Sequence, residues 1–173
     1  LLAKPVWAET NATAYEALRV MGNQFGRDAL RQIVSIHGNK GDPQPEKWKI
    51  VVEEPQGGVR EIEIAGGTVD SRDDADRDVA GSTEGAAIDV SRLNLDSSGA
   101  YAVAKHTADA SHMNFATADY ILRTDDRGEP MWILTLRSNS ARPLGTLYIG
   151  GTDGTVRRTE GMFAGATLED VQG

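Results

Sequence analysis

Two stretches of the chain place an apolar residue at every second position, and both begin with a tryptophan. In a β-strand, successive side chains point to opposite faces of the sheet, so alternating residues share one face. The sequence therefore predicts two strands that each bury one face. Their buried positions are Trp48, Ile50 and Val52 in the first stretch and Trp132, Leu134 and Leu136 in the second.

The segments around these two strands follow one another in the same order. Each tryptophan strand is preceded by a helical pattern and a shorter strand, at 32–36 and 119–123, and followed by a third strand, at 62–64 and 147–149. Glycine-rich turns with a Thr-Val pair come next in both cases. Agreement in order and face indicates an internal duplication.

Each predicted helix has an apolar stripe and a capping residue at its start. In the first helix Tyr15, Leu18, Met21 and Phe25 recur at intervals of three and four residues, which is the spacing of one helix face. Thr13 followed by Glu16 predicts a capping box. The second helix has a thinner stripe: its apolar positions are Tyr101, Ala104 and Ala108, and Ser97 and Ser98 are the candidate caps.

The predicted fold class is therefore α+β, with two repeats of a helix packed on an antiparallel β-sheet, each an α-β-β-β unit. We assign the first repeat to residues 1–70, an acidic linker to 71–86 and the second repeat to 87–173. If the repeats superpose, Trp48 matches Trp132 and Tyr15 matches Tyr101. All four aromatic side chains are expected to be largely buried.

Three stretches of the second repeat resemble the PepSY domain. The resemblance lies in Tyr120-Ile121-Leu122, in Pro130-Met131-Trp132-Ile133-Leu134-Thr135-Leu136 and in Gly145-Thr146-Leu147-Tyr148-Ile149. The tandem folds of the beta-lactamase inhibitor protein type are similar. The resemblance implies a non-enzymatic module of a bacterial protein, placed outside the cytoplasm, at the cell surface or in the periplasm. Some such modules inhibit peptidases, and the family brings no catalytic residues to this chain.

Composition narrows the classes of partner. The net charge is −8 and the basic residues are scattered along the chain, which argues against nucleic acid as a partner. The chain has no cysteine, so disulfides, thiolate catalysis and cysteine-based zinc sites are excluded. Its apolar runs are far shorter than the ~20 residues of a membrane-spanning helix, so we predict no transmembrane segment.

The common catalytic motifs for a serine nucleophile, a zinc protease, a phosphate loop or a dinucleotide site are missing from the sequence. His106 and His112 flank Asp109 on the second predicted helix. Their separation of six residues puts the two histidines on different helix faces, which is typical of ordinary surface histidines. We predict that the protein is not an enzyme; a hydrolase would need an arrangement outside these motifs.

A calcium loop is the one cofactor site that the sequence suggests. Asp74, Asp76 and Asp78 alternate in the acidic linker, and carboxylate oxygens are ligands that Ca²⁺ prefers. Gly81 and Glu84 follow, but both are displaced from their places in an EF-hand loop. A solvated acidic linker without a cofactor is the other interpretation.

The sheet face that points away from the helices differs between the repeats. In the first repeat it is mostly charged, whereas in the second it carries Ile133, Arg137 and Tyr148. Apolar area with tyrosine and arginine is typical of contact surfaces. These three residues are therefore the candidate partner-binding residues. The alternative is that this face packs on the first repeat or on the tail around Met162 and Phe163.

Two functions follow from these observations and from the resemblance. The first is a binding or inhibitory module that presents a sheet surface to a protein or a peptide. The second is a structural module that assembles homo-oligomers through its sheets. A stable dimer that buries the sheet face would favour assembly.

Overall fold

The computed structural model describes residues 11–55, 57–74 and 86–161, with no side-chain detail for 70–74. It contains helices α1 (Ala14–Phe25) and α2 (Ser97–Ala110), together with short 3₁₀ turns at Arg27–Arg31 and Val90–Arg92. Eight strands account for most of the remaining residues described. They are β1 (Ile33–Gly41), β2 (Lys47–Glu53), β3 (Val59–Ala65), β4 (Thr68–Asp74), β5 (Thr117–Thr124), β6 (Pro130–Arg137), β7 (Pro143–Gly150) and β8 (Val156–Glu160).

The eight strands form one antiparallel sheet in the order β4-β3-β2-β1-β5-β6-β7-β8. The prediction of two repeats, each with a helix on its own small sheet, is therefore wrong. The two halves are joined because β1 pairs directly with β5, with Ile36 opposite Leu122 and Gly38 opposite Tyr120. Alternation within a strand shows which residues share a face, but not which strand lies next to it.

Strand structure also extends further than the sequence predicted. The glycine-rich turns with the Thr-Val pair are followed by strands β4 and β8, which form the two edges of the sheet. Strand β4 continues to Asp74, so it enters the predicted acidic linker at 71–86. Residues 75–85 of that segment lie outside the described part of the chain.

The α+β class itself holds, because two helices cover one face of the sheet. Ala17 and Met21 of α1 and Ala100, Ala104 and Ala108 of α2 belong to the same buried cluster as the inward residues of the strands. Small alanines on α2 let this helix lie close to the sheet. No helix in the described residues is long and apolar enough to cross a membrane.

Three aromatic rings form the centre of the core. Trp48, Tyr120 and Trp132 are at most 1% exposed, so the predicted burial of both tryptophans is confirmed. Their ring centroids lie 5.4 to 6.2 Å apart with edge-to-face geometry, which is the favourable arrangement for aromatic pairs. Each indole N–H donates to a backbone carbonyl, Trp48 to Ala12 and Trp132 to Leu95.

The predicted capping box at α1 is confirmed, with the Thr13 side chain accepting from the Glu16 N–H and Glu16 accepting from the Thr13 N–H. The expected burial of Tyr15 is wrong, because this side chain is 37% exposed and its hydroxyl donates to the Leu93 carbonyl. Tyr101 is half-buried and packs edge-on against Phe115.

The N-termini of α1 and α2 meet at one carboxylate. Asp96, rather than Ser97 or Ser98, caps α2, and its Oδ1 accepts from the Ser97 N–H at 2.7 Å. The same oxygen accepts from the Tyr15 N–H of α1 at 2.9 Å. A negative charge at two helix N-termini stabilises both, since each helix end carries unpaired N–H groups and a partial positive charge.

We expect Asp96→Ala to lower the free energy of unfolding by about 1–2 kcal/mol, because one change removes the cap of α2 and the contact with α1. Urea titration followed by circular dichroism measures the loss. Asp109→Ala is the matched control, since Asp109 lies on the exposed side of the same helix and forms a surface ion pair with Lys105. Equal losses in the two variants would contradict the double-cap interpretation.

Candidate functional site

The sheet face opposite the helices carries a row of side chains that crosses several strands. Strand register places one outward residue of each strand next to that of its neighbour. From β2 to β8 these residues are Lys49, His37, Ile121, Ile133, Tyr148 and Arg158. We call the three apolar residues in the middle, Ile121, Ile133 and Tyr148, the apolar row.

The apolar row is only partly shielded from solvent. Ile133 is 8% exposed, whereas its cross-strand neighbours Ile121 and Tyr148 are half-buried. None of the three belongs to the core cluster under the helices. The row is thus an apolar strip on the sheet face that the two helices do not cover, and the tail around Met162 and Phe163 lies outside the described residues.

Tyr148 is held in place by its neighbours on β8. The guanidinium carbon of Arg158 lies 4.1 Å from the centroid of the tyrosine ring, a cation–π contact. The Tyr148 hydroxyl donates to Oε1 of Glu160 at 3.1 Å. A ring fixed on both sides loses little conformational entropy when a partner binds to it.

The structure does not bring the three predicted partner-binding residues together. Ile133 and Tyr148 are direct cross-strand neighbours, but Arg137 lies four residues along β6, about 13 Å away at strand spacing. Its Nε donates to Asp119 Oδ2 at 2.6 Å and its guanidinium also donates to the Ala141 carbonyl. Arg137 therefore belongs to a separate ion pair at the far end of the strand.

Next to Tyr148 the open face deepens into a cleft of about 660 Å³. We call it the arginine cleft, since Arg123, Arg127, Arg157 and Arg158 line it. These side chains come from β5, the turn between β5 and β6, and strand β8. The remaining lining residues are Thr124, Asp125, Asp126, Met131 and Tyr148.

Arg157 can lie over the sheet because Gly150 below it has no side chain. A Cβ on Gly150 would be 2.7 Å from the guanidinium of Arg157 and 2.4 Å from Asp153 Oδ1. Asp153 accepts from Arg157 at 3.2 Å. Hydrogen bonds from the backbone and side chain of Thr155 lower the pKa of Asp153, with a smaller contribution from Arg157. This carboxylate is thus charged and fixes the arginine.

One of the two lining aspartates is used by the turn itself. Oδ1 of Asp125 accepts from the N–H groups of Arg127 and Glu129, at 2.8 and 2.9 Å. This Asx-type bonding fixes the tight turn that ends at Gly128 and Glu129. Within the described residues the Arg127 side chain makes no ion pair. Four arginines and two aspartates thus line the cleft, and two of the arginines, Arg157 and Arg158, pair with Asp153 and Glu160 at its edge.

A serine and a histidine lie side by side on the open face of β1. Ser35 Oγ and His37 Nε2 are 2.9 Å apart. Burial lowers the pKa of His37, and the charges of Lys49 and Arg123 lower it further. A histidine beside two cations is a poor proton acceptor, and Ser35 is fully buried. The contact therefore gives the buried Ser35 hydroxyl a hydrogen-bond partner and does not form an accessible nucleophile.

His106 and His112 are both exposed, as expected for surface histidines. The proposed calcium ligands Asp76 and Asp78 lie outside the described residues, and the side chain of Asp74 at the end of β4 is not described either. Among the described residues no group of three or more His, Asp or Glu side chains is placed to hold a metal ion.

The arginine cleft was missed by sequence reasoning, which treated the basic residues as scattered. Only the adjacent pair Arg157-Arg158 is visible as a local signal. Arg123 and Arg127 are distant in the chain and reach the cleft because β5 and β8 flank the same part of the sheet face.

Comparisons with protein-family models, with curated proteins and with solved structures found no match to this chain. The resemblance to the PepSY domain therefore stays a prediction.

Proposed function

We propose that the protein is a binding module that takes a segment of a protein or peptide on the open face of its sheet. The observation that supports this most is the apolar row. Ile121, Ile133 and Tyr148 form a strip on the sheet face that the two helices leave uncovered. Of these, Ile121 and Tyr148 retain exposed surface.

The composition next to the row also supports binding. Tyrosine, methionine and arginine are enriched at protein interfaces. Tyr148 belongs to the row, and Met131 and Arg158 of the arginine cleft border it. The guanidinium groups of the cleft can pair with carboxylates, so the face suits a segment that has both apolar and acidic groups. Such a segment is the occupant that we propose.

An inhibitory role and a location outside the bacterial cytoplasm are part of the proposal. They rest on the PepSY resemblance of the β5–β7 stretches and not on the geometry of the face. The proposal involves no catalytic step. Ser35 is buried, and the neighbouring His37 lies beside the cationic side chains of Lys49 and Arg123.

The proposal is tested by selecting binders from a displayed peptide library on the purified protein. Peptides that bind the open face should lose about tenfold or more in affinity on Tyr148→Ser, the cost of losing one central aromatic contact. Fluorescence anisotropy measures the dissociation constants. Circular dichroism should show an unchanged fold, because Tyr148 lies outside the core cluster.

Tyr15→Ser is the matched control, since it removes an exposed tyrosine on the helix side of the molecule. It should leave the affinities unchanged. The proposal would be contradicted if the selected peptides bound Tyr148→Ser and Tyr15→Ser with the same affinity as the unmodified protein. Light scattering on the same sample tests the assembly hypothesis. If the protein forms a stable dimer and Tyr148→Ser dissociates it, the open face serves self-association and not peptide binding.

A further inference from the structure

We infer that the arginine cleft binds the carboxylates of an acidic peptide segment whose neighbouring residues lie on the apolar row. The inference rests on the proposed function and names the chemistry of its partner. The observation behind it is that four arginines of an acidic protein, together with two aspartates, line one cleft beside Tyr148.

The spacing of the arginines favours a segment over a compact anion. Arg123 lies on β5 and Arg158 on β8, which are separated by β6 and β7. Three inter-strand steps span about 14 Å. An extended peptide covers this distance with about four residues. Carboxylates at the two ends of such a stretch can therefore each meet a guanidinium.

Arg157 and Arg158 have N–H donors left for such contacts. Arg157 uses its guanidinium for Asp153 at 3.2 Å and for the Thr155 hydroxyl at 3.1 Å, and Arg158 pairs with Glu160 at 3.4 Å. A guanidinium has five N–H donors, so a pairing of this kind leaves others free for a ligand carboxylate. The existing partners hold the side chains of Arg157 and Arg158 in place, which lowers the entropy lost on binding.

The cleft and the apolar row form one continuous surface. Tyr148 lines the cleft and is also the last residue of the row, where it faces Ile133 across β6 and β7. Arg158 stacks on the same ring. A ligand whose carboxylates enter the cleft therefore places its adjoining side chains against Tyr148 and Ile133. A peptide has both kinds of group in one chain, but a free inorganic anion does not.

The test uses a fluorescein-labelled hexaglutamate peptide, a hexaglutamine peptide of equal length and inorganic phosphate. Hexaglutamate should bind in low salt, weaken as the salt concentration rises, and bind at least about tenfold more tightly than hexaglutamine. The double variant Arg157→Gln/Arg158→Gln should lose about tenfold in affinity for hexaglutamate, because it removes two charge-assisted hydrogen-bonding groups.

The control variant Arg19→Gln/Arg142→Gln changes the net charge equally at two exposed arginines outside the cleft. It should keep most of the affinity. Equal losses in both double variants would show a general charge effect and overturn the inference. Phosphate that displaces hexaglutamate at a comparable concentration would identify a site for free anions and overturn it as well.

Failure of this inference is distinguishable from failure of the proposed function. If library peptides bind through Tyr148 but hexaglutamate does not bind, only the acidic chemistry is wrong. If hexaglutamate binds through the cleft but no peptide depends on Tyr148, the apolar row is not part of the site, and both the proposed function and the inference fail.

Discussion

Trp132→Ala is expected to lower the free energy of unfolding by about 3–5 kcal/mol, the usual cost of truncating a buried tryptophan. The side chain is fully buried, and its ring lies 6.0 Å from that of Tyr120 and 6.2 Å from that of Trp48. Alanine removes both aromatic contacts and leaves a large cavity under α2. It also takes away the N–H that donates to the Leu95 carbonyl just before this helix.

Urea titration followed by far-ultraviolet circular dichroism measures this loss without depending on tryptophan fluorescence. Tyr15→Ala is the control, since it removes an aromatic ring that is 37% exposed and stands apart from the three-ring cluster. Trp132→Phe separates packing from hydrogen bonding, because it keeps a ring but not the N–H donor; we expect it to cost about 1–3 kcal/mol. A loss under about 1 kcal/mol for Trp132→Ala would mean that the ring cluster is not the centre of the core.

Local features of the chain were predictable because they depend on neighbours in sequence. The strand around Trp48 and the strand around Trp132 appear where alternation places them, with both tryptophans buried. The capping box of Thr13 and Glu16 is likewise a property of four consecutive residues. Such features require no knowledge of the rest of the fold.

The joining of the halves was not predictable in this way. Strands β1 and β5 pair through backbone N–H and C=O groups, which every residue other than proline carries. Nothing in the side-chain alternation of β1 indicates whether its outer edge faces water or another strand. The sequence therefore led to two small sheets, whereas pairing of these two edges produces one sheet of eight strands.

In the candidate site, too, the sequence predicts local features but not those that depend on strand order. Ile133 and Tyr148 could be placed on the outer face from alternation, and register makes them neighbours. Arg137 shares that face but pairs with Asp119 at the far end of β6, because face alone says nothing about position along the strand. The arginine cleft depends on strand order, so its four members have no common pattern in the sequence.

Gly38→Ala is expected to lower the free energy of unfolding by about 1–3 kcal/mol, the typical cost of overpacking a core. Gly38 lies on β1 opposite Tyr120, at the line where the two halves of the sheet join. An added Cβ would lie 2.5 Å from Cγ of Pro45 and 2.9 Å from two ring carbons of Trp48. The Trp48 ring cannot move aside freely, since it contacts Tyr120 and Trp132 and its N–H donates to the Ala12 carbonyl.

Gly58→Ala is the matched control, because a Cβ at this position would meet no atom within 4 Å. The same methyl group is thus added once under the tryptophan and once in open space, which isolates the steric cost from the change in backbone entropy. Since alanine restricts the unfolded chain more than glycine does, Gly58→Ala should be neutral or slightly stabilising. If Gly38→Ala behaves like Gly58→Ala in urea titrations, the Trp48 ring does not rest on β1, and the close packing at the junction of the two halves is disproved.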